Sequence, residues 1–580
     1  MVVARAILSI FLDQLQNDDK SVIYEKWTIE GRLERPIPVK NGLAVSFELA
    51  SHVVYARLRR SQDRANHRQP RAEAVAEPTQ SENDDGFQQR IADVLALSPD
   101  SVAIEAGDHR ITWGELGQAA RAVEALLADS GVDPMAPIGW AARNRPTAVV
   151  AFVALIVSGR MVVPLRPSYA AANFIEDIEA QRLQAVIGDT DDWSAEGVVA
   201  AAQEAGSVGI EVSGPPFSSR LIPGLEAPGA GPHRSVPPGY VLERLTSGTT
   251  GAPKRIPVSR DILMPSLRSG EQKAGSEPTP LTLKRSPALL FKPFSHAGGL
   301  FGLLMALYQA RPIVLFEKFN VDSWVAAVKR YRPKAASLVP AMIRMVLDAA
   351  PDPEDLSSLL AIRSGTAPLE PEVQAEFEKR YGVPILVDYG AAEFIGGLAG
   401  WTLPDYKKYG QDKRGSVGRA RKDVNIRVVD RESFSPVAGN EVGLVEVKSE
   451  RYGPEWIRTN DLARIDPEGF IFLEGRADDA INRGGFKVLP EEVAGVLRQH
   501  AAVADAAVVG KSDPRLGQVP VAAIEVVEEA KDPDPAELDA LVRERLPAYM
   551  VPVEYRIVAA LPRTASMKVS RPELRKLLGL

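Results

Sequence analysis

One polar stretch near the middle of the chain reads Thr246-Ser247-Gly248-Thr249-Thr250-Gly251-Ala252-Pro253-Lys254. Its glycines allow positive φ and let the backbone approach a ligand closely. Turned backbone N–H groups form an anion-binding concavity, hydroxyls add donors, and the lysine adds a mobile positive charge. The stretch therefore predicts a loop that binds a polyphosphate, with a triphosphate as its natural guest.

The composition excludes several function classes. The 580 residues carry a formal net charge of −7, which argues against the basic face that nucleic-acid binding requires. There is no cysteine, so disulfides, thiolate metal sites and cysteine nucleophiles are excluded. The six histidines lack ligand spacing, and no apolar run is long enough for a membrane span. We expect a cytoplasmic enzyme with no nucleic-acid partner and no integral membrane span, and we keep a homodimer open.

The pattern along the chain predicts three regions. Residues 1–85 combine apolar pieces with a mixed-charge stretch, 57–86, that is typical of a flexible linker, and no function is assigned to them. Over 86–477, strands alternate with helices, which predicts βαβ units and a parallel sheet covered on both faces. Residues 478–580 predict a smaller α+β domain. The expected fold class is α/β; a helix over 321–331 and a strand over 385–389 are typical predicted elements.

Eight further motifs follow the loop in a fixed order. They are 293–299 (PFSHAGG), 364–369 (SGTAPL), 388–393 (DYGAAE), 415–418 (GSVG), 458–461 (RTND), 475–479 (GRADD), 546–552 (LPAYMVP) and 562–571 (PRTASMKVSR). Together with the loop they resemble the adenylate-forming superfamily, which includes acyl- and aryl-CoA synthetases, peptide-synthetase adenylation domains and luciferases. The resemblance covers residues 87–580. It implies a large AMP-binding domain and a mobile C-terminal domain.

The resemblance also implies how the site binds ATP. Carboxylate and ATP are both anions, so their reaction needs positive charge and hydrogen-bond donors around them. The β- and γ-phosphates are expected on the loop, at Thr246, Ser247, Gly248, Thr249, Thr250 and Lys254. Glu393 is the expected Mg²⁺ ligand, with the Thr249 hydroxyl beside it.

The remaining nucleotide and catalytic roles are assigned in the same way. Asp461 resembles the ribose-binding carboxylate of the family, and Arg476 resembles its companion. Tyr389 is expected to stack on adenine, with Gly365 and Thr366 opposite. Lys568 resembles the mobile lysine that bridges the carboxylate and the α-phosphate while the adenylate forms.

Acyl and thiol binding complete the expected site. His296 resembles the histidine at the carboxylate end of the acyl pocket, and the pocket is expected to be lined by Phe294, Gly298, Gly299 and Gly390. Asp478 resembles the hinge on which the small domain rotates. After rotation, the pantetheine channel is expected beside Gly484, Gly485 and Phe486.

Three positions depart from the family pattern. Ala392 stands where the family usually has Thr, Asn460 where it has Gly, and Met567 where it has Gly. Because Glu393 and Lys568 are present, we still expect an active enzyme.

The expected function is an ATP-dependent carboxylic acid:CoA ligase that uses ATP, Mg²⁺ and CoA. Ser295 stands where amino-acid-activating relatives carry Asp, and Gly390 leaves room in the pocket, so an aryl, medium-chain or branched acid is expected. No carrier-protein domain follows Lys568, so the thiol acceptor is expected to be a separate molecule. The alternative is a stand-alone adenylation enzyme that loads an acyl group on a separate carrier protein.

Overall fold

The computed structural model describes residues 37–39, 43–50, 53–60 and 86–580, apart from 168–170, 246–254, 272–280, 392–393, 485, 529 and 565–566. For residues 37–60, 269–271, 478 and 487 it describes the backbone alone. The chain divides into two compact units, Met1–Ser81 and Glu82–Leu580.

The first unit contains a three-stranded antiparallel sheet in the order β1-β2-β3. Its strands are β1 (Ile37–Val39), β2 (Leu43–Ala50) and β3 (Val53–Arg60). The predicted linker was placed too early, because β3 continues to Arg60, where it pairs with Leu43 at the start of β2. Residues 57–60 are thus part of a hairpin strand.

The second unit contains the remaining elements. Up to residue 271 these are α1 (Gly86–Leu97), β4 (Val102–Ala106), β5 (His109–Thr112), α2 (Trp113–Asp129), β6 (Ile138–Ala141), α3 (Pro146–Val157), β7 (Val162–Leu165), α4 (Ala171–Gln181), β8 (Ala185–Asp189), α5 (Thr190–Ser194), α6 (Val198–Ala205), β9 (Val208–Ser213), β10 (Ser218–Leu221), β11 (Tyr240–Leu245), β12 (Arg255–Ser259) and α7 (Arg260–Glu271).

Up to residue 476 there follow β13 (Ala288–Leu290), α8 (Ala297–Tyr308), β14 (Ile313–Leu315), α9 (Val321–Tyr331), β15 (Ala335–Ser337), α10 (Pro340–Ala349), β16 (Ala361–Ser364), α11 (Pro371–Tyr381), β17 (Ile385–Tyr389), β18 (Ala399–Gly400), α12 (Leu403–Tyr409), β19 (Arg419–Ala420), β20 (Asn425–Val429), β21 (Gly443–Lys448), β22 (Ile457–Ile465) and β23 (Ile471–Arg476).

The last elements are β24 (Ile481–Arg483), β25 (Phe486–Val488), α13 (Pro490–Leu497), β26 (Val503–Asp513), β27 (Gly517–Val526), α14 (Pro535–Arg545), β28 (Glu554–Val558) and α15 (Arg571–Leu577). Short 3-10 helices span Pro353–Leu356, Glu450–Tyr452, Ala477–Asp479 and Ala548–Met550.

A seven-stranded sheet, in the order β10-β9-β8-β6-β7-β11-β12, forms the first layer of the fold. Its five central strands are parallel, as predicted, whereas β10 and β12 pair antiparallel at the two edges because each forms a hairpin with its neighbour. Helix α3 packs against it and is apolar on all sides, which requires burial on all sides. The phosphate-loop stretch, 246–254, connects β11 to β12.

Three further sheets follow. Strands β13, β14 and β4 run parallel, with β5 antiparallel on β4. Strands β15, β16 and β17 run parallel, with β18 and β19 antiparallel beyond them. Because parallel strands end at one edge, the residues that follow β15, β16 and β17 are neighbours. Strands β20 to β23 form an antiparallel meander.

The C-terminal part has its own sheet, β25-β24-β27-β26, with β28 parallel to β27. Helices α13 and α14 bury Val493, Leu497, Leu538 and Val542 in an apolar cluster made of residues from 481 onward. The predicted fold class, a large α/β domain with a smaller C-terminal α+β domain, is confirmed. The domain boundaries and the mobility of the C-terminal part stay predictions. In the described ranges, no helix combines the length and the apolar character that a membrane span needs.

Candidate active site

Two strands of the meander hold an opposed acid and base. Asp461 on β22 and Arg476 on β23 are direct cross-strand partners, and Arg476 Nη1 lies 3.5 Å from Asp461 Oδ1. The hydroxyl of Tyr389, at the end of β17, donates a hydrogen bond to Asp461 Oδ2 at 2.6 Å. Three residues predicted to bind the nucleoside therefore meet. Since a carboxylate has about four acceptor positions, Asp461 keeps capacity for ribose hydroxyls.

Lys568 reaches the same place from the C-terminal part. It lies on a loop closed by an isolated bridge between Arg563 and Val569, and its backbone N–H donates to Thr564 Oγ1 at 3.3 Å. Burial lowers the pKa of the Lys568 ammonium below its ordinary value; the charge of Arg476 lowers it further and that of Asp461 opposes this. The loop thus presents a partly buried cation to the Asp461–Arg476 pair.

His296 is the third group at this place. It is the N-cap residue of α8, with extended backbone. Burial, and secondly the positive charge of Lys568, lower the pKa of His296 to about 4. Its imidazole is therefore neutral at pH 7 and close enough to Lys568 for the two groups to repel when both are charged. The charge of Lys568 thus acts on His296, and the charges of Asp461 and Arg476 act on Lys568, although these residues are far apart in sequence.

The loop after β16 packs tightly against the end of β17. A Cβ atom on Gly365 would lie 2.9 Å from the Asp388 carbonyl oxygen, so only glycine fits there. Thr366 has a φ of 76°, in the left-handed region that non-glycine residues rarely adopt. The Ser364 hydroxyl is buried and has no hydrogen-bond partner in the described part of the chain. An orphaned polar atom beside the predicted adenine-binding loop fits a site that a ligand completes.

The predicted acyl-pocket residues divide into two groups. Gly298, in the first turn of α8, and Gly390, directly after β17, are exposed. The expectation for Phe294 is wrong, because its ring is fully buried in the core and stacks on Trp140 with ring centroids 6.0 Å apart. Gly299 is also buried: a Cβ there would lie 2.2 Å from the Pro293 carbonyl oxygen, so this glycine serves close backbone packing.

The predicted phosphate loop, 246–254, lies outside the described residues, as do Ala392, Glu393 and Gly485. The neighbours of the loop and of Glu393 are described. Leu245 and Arg255 pair across β11 and β12 on either side of the loop. Arg244, buried on β11, donates from Nη1 to the Phe394 carbonyl oxygen at 2.9 Å. The base of the loop is therefore tied to the residue directly after Glu393.

The predicted hinge lies in the 3-10 helix Ala477–Asp479, where the side chain of Asp478 is not described. Its neighbour Asp479 forms an ion pair with Arg571, at the start of α15, and lies 3.9 Å from Arg476 Nε. Gly484 lies on the exposed loop between β24 and β25, where Phe486 is 59% exposed and stacks on Tyr549. Two of the predicted thiol-channel residues, Gly484 and Phe486, thus face solvent.

Two residues with a place in this site escaped the sequence analysis. Lys292, four positions before His296, is a partly buried lysine whose pKa is lowered to about 8, mainly by burial, with Asp388 opposing the shift. Arg244 ties the phosphate-loop base to Phe394. A cationic residue directly beside a recognised motif was the signal available for each. In the described ranges no group of three or more His, Asp or Glu residues could hold a metal ion.

Comparison with known proteins identifies the family. The model of the AMP-binding enzyme family matches residues 91–452, and the model of its C-terminal domain matches residues 492–568. The chain belongs to the AMP-binding enzyme family. This confirms the resemblance on which the site was predicted, and with it the enzyme class, an AMP-forming ligase of carboxylic acids.

Members of the AMP-binding family with known names include several acid–CoA ligases. A 2-succinylbenzoate–CoA ligase of Bacillus velezensis is 30% identical over 348 residues, which are 57% of this chain and 68% of the relative. A medium/long-chain-fatty-acid–CoA ligase of Mycobacterium tuberculosis is 28% identical over 510 residues, 81% of this chain and 86% of the relative.

Solved structures share the fold. ATP-bound MatB from Rhodopseudomonas palustris superposes with a TM-score of 0.70 at 23% identity, covering 85% of this chain and 99% of its own. The o-succinylbenzoate CoA synthetase from Bacillus subtilis, with its acyl-adenylate intermediate, gives 0.67 at 24% identity, covering 84% and 97%.

Proposed function

We propose that this AMP-binding enzyme is an ATP-dependent carboxylic acid:CoA ligase, acting on an aryl, medium-chain or branched acid. The observation that carries the proposal is the meeting of Lys568 with His296 and with the Asp461–Arg476 pair. An isolated nucleotide site does not need a lysine from a loop of the C-terminal part beside a neutral histidine. Two reacting anions need such a lysine, because the repulsion between their negative charges must be offset.

In the first half-reaction, a carboxylate oxygen of the acid bonds to the α-phosphorus of ATP as the bond to pyrophosphate breaks. Asp461 accepts hydrogen bonds from the ribose hydroxyls, and Tyr389 offers its ring to adenine. The Lys568 ammonium neutralises charge that develops between carboxylate and α-phosphate. His296, which is neutral at pH 7, orients the acid and does not form an ion pair with its carboxylate.

In the second half-reaction the thiol of CoA loses its proton to solvent. Its sulfur bonds to the acyl carbon, and the bond from that carbon to AMP breaks, which releases acyl-CoA and AMP. We propose that the C-terminal part turns about Asp478 between the two steps and brings Gly484, Gly485 and Phe486 to the thiol channel. The exposed position of Phe486 supports this, because the side chain is open to a new contact.

Phosphate and metal binding rest on the loop and on Glu393. The residues Thr246, Ser247, Gly248, Thr249, Thr250 and Lys254 are proposed to hold the β- and γ-phosphates, and Glu393 with Thr249 is proposed to hold Mg²⁺. The metal would supply charge neutralisation at the phosphates. The hydrogen bond from Arg244 to Phe394 supports this, since it fixes the base of the loop beside the neighbour of Glu393.

The test is incubation with ATP, Mg²⁺, CoA and a panel of carboxylic acids, with AMP and acyl-CoA both measured. Lys568→Ala is expected to lower adenylation by about 10²- to 10³-fold, because a preorganised charge at the reacting atoms is removed. Thiolysis of a supplied acyl-adenylate should stay nearly unchanged. Lys576→Ala, an exposed lysine on α15, is the matched control and should leave both steps intact.

Two outcomes would overturn the proposal. Equal loss of both half-reactions in Lys568→Ala would contradict the division of labour between them. Formation of AMP that requires a carrier protein and ignores CoA would favour the alternative, a stand-alone enzyme that loads a separate carrier.

A further inference from the structure

Lys292 is the cation that the chemistry above does not use. It follows β13 directly, and its Nζ donates a hydrogen bond to Ser337 Oγ, at the end of β15, at 2.8 Å. Lys292 is partly buried, its hydrogen bond to Ser337 lies at an exposed edge, and Asp388 on β17 is the carboxylate that acts on it. Lys292 thus lies where the ends of three strands, β13, β15 and β17, meet. Burying a lysine there is costly unless something compensates for its charge.

Asp388 does not supply that compensation alone. Arg363 Nη1 lies 2.9 and 3.0 Å from its two carboxylate oxygens, and Arg421 Nη2 lies 3.1 Å from Oδ1. Asp388 therefore forms ion pairs with Arg363 and Arg421 and also acts on Lys292 through its charge. The cluster keeps an excess of positive charge, which an anion from outside the chain can balance.

The position of this cluster points to the acid substrate. The Lys292 side chain runs beside Gly298, whose Cβ, if present, would lie 3.8 Å from Lys292 Cδ. Gly298 is exposed in the first turn of α8, at the predicted acyl pocket. The segment is held in place by Asn144, whose Nδ2 donates to the Lys292 carbonyl oxygen at 3.1 Å and whose Oδ1 accepts from the Phe294 N–H at 2.9 Å. The lysine therefore lies beside the first turn of α8, where the acyl pocket is predicted.

The two cations, Lys568 and Lys292, are expected to act at opposite ends of the bound acid. Lys568 is the charge that acts on His296, at the reacting end of the acid. Asp388 is the charge that acts on Lys292, and Ser337 is its hydrogen-bond partner. A ligand that meets both cations must carry an acceptor at each end.

We propose that Lys292 determines specificity by binding a second carboxylate at the far end of the acid, so that the substrate is an aryl or medium-chain acid with two carboxylates. This inference rests on the proposed function and narrows its substrate. When the acid binds, the Lys292 ammonium donates to the substrate carboxylate, either in place of the Ser337 hydroxyl or in addition to it. Hydrogen bonds between charged groups are strong and directional, so the site favours an acid of one length.

The experiment measures binding of non-hydrolysable acyl-sulfamoyl-adenosines to the full chain by calorimetry. The acyl groups are matched pairs that end in methyl or in carboxylate, from butanoyl and succinyl to decanoyl and its diacid counterpart, with 4-ethylphenylacetyl and 4-(carboxymethyl)phenylacetyl as the aryl pair. At one length, the wild type is expected to bind the carboxylate-ended analogue about 10- to 100-fold more tightly than the methyl-ended one.

Lys292→Met keeps the length of the side chain and removes its charge, so it should abolish or reverse that preference while methyl-ended analogues still bind. Lys292→Arg should restore part of the preference, which a purely structural role would not do. Lys318→Met, at an exposed surface lysine, should leave every affinity unchanged.

The possible results separate the two proposals. A wild type that prefers the methyl-ended analogue in every pair, or a Lys292→Met variant that weakens both members equally, overturns the role of Lys292. The expected preference without acyl-CoA formation from any acid overturns the ligase function and leaves the role of Lys292 standing. If no analogue binds, both are overturned.

Discussion

The hydroxyl of Tyr389 donates a hydrogen bond to the carboxylate of Asp461, and this 2.6 Å contact joins the end of β17 to β22. A parallel sheet and an antiparallel meander are thus connected at the place where the nucleoside is proposed to bind. Tyr389→Phe keeps the ring for stacking and removes the hydroxyl. We expect the KM for ATP to rise about tenfold, because a hydrogen bond to a charged group is lost, with little change in kcat.

Tyr381→Phe provides the matched control, because its hydroxyl donates to the Val346 carbonyl oxygen at 3.2 Å, away from this pair. It should affect the free energy of unfolding and not the KM for ATP. An unchanged KM in Tyr389→Phe would show that Asp461 does not need this donor for its position.

The ion pair between Arg498 and Glu370 predicts a role in domain orientation. Arg498 Nε, at the end of α13, lies 3.3 Å from Glu370 Oε1, which precedes α11. Because Arg498 also pairs with Glu491 and Asp505, Glu370→Gln leaves it neutralised and the fold intact. We expect acid-dependent pyrophosphate exchange to fall about two- to fivefold, which matches the worth of one partly exposed ion pair.

Thiolysis of a supplied acyl-adenylate should stay constant or rise in Glu370→Gln, since this contact belongs to the arrangement with Lys568 in the site. Glu372→Gln, an exposed change on the same helix, is the control. A parallel fall of both half-reactions would contradict a role in orientation.

Met567 combines strain with packing. Its φ is 63°, in a region that costs a non-glycine residue about 1 kcal/mol, and its side chain packs on the apolar cluster around β17. Met567→Ala loses the packing and keeps the strain, whereas Met567→Gly loses the packing and relieves the strain. We therefore expect the glycine variant to adenylate about fivefold faster than the alanine variant, measured by pyrophosphate exchange. Equal rates would indicate that this loop does not keep its φ during catalysis.

His296 predicts a pH effect on stability. Its pKa is about 4 in the folded chain against 6.5 for an ordinary histidine. Between these values the unfolded chain binds a proton that the native chain does not, so the free energy of unfolding falls as pH falls from 6.5 to 4. In the wild type, the free energy of unfolding measured with urea should be lower at pH 5 than at pH 7. In His296→Gln, the part of this decrease that comes from His296 should be absent.

A titration of ring signals by NMR tests the cause. In Lys568→Ala the pKa of His296 should rise, because one positive charge is gone, and stay below 6.5, because burial is the larger cause. A wild-type pKa near 6.5 would contradict a buried, neutral histidine.

Local patterns predicted much of this fold. The helix α9 and the strand β17 coincide with the predicted 321–331 and 385–389, because amphipathic periodicity and a short apolar run between polar segments are decided by neighbouring residues. The antiparallel meander β20–β23 was not predicted. Its order depends on pairing between strands, and the register that sets Asp461 opposite Arg476 depends on that pairing.

The site residues divide in the same way, into those that a local motif marks and those that depend on contacts between distant strands. Lys568, His296, Asp461 and Arg476 were predicted because motif order marks them; the structure pairs Asp461 with Arg476 and lets the charge of Lys568 act on His296. Lys292 was not found, because its buried charge depends on residues of two other strands. Phe294 was assigned to the pocket because it lies beside His296 in sequence, yet neighbouring residues of a loop point in different directions.

The packing of Gly365 against the Asp388 carbonyl oxygen sets limits on redesign of this enzyme. Any side chain at Gly365 or Gly299 would displace backbone atoms, so these two positions must remain glycine. A Cβ at Gly298 would make only an ordinary van der Waals contact, 3.8 Å from Lys292 Cδ, and Ser337 is exposed, so new side chains can be added there without moving the sheet. A library that aims to change the accepted acid should vary these two positions first and leave the other two untouched.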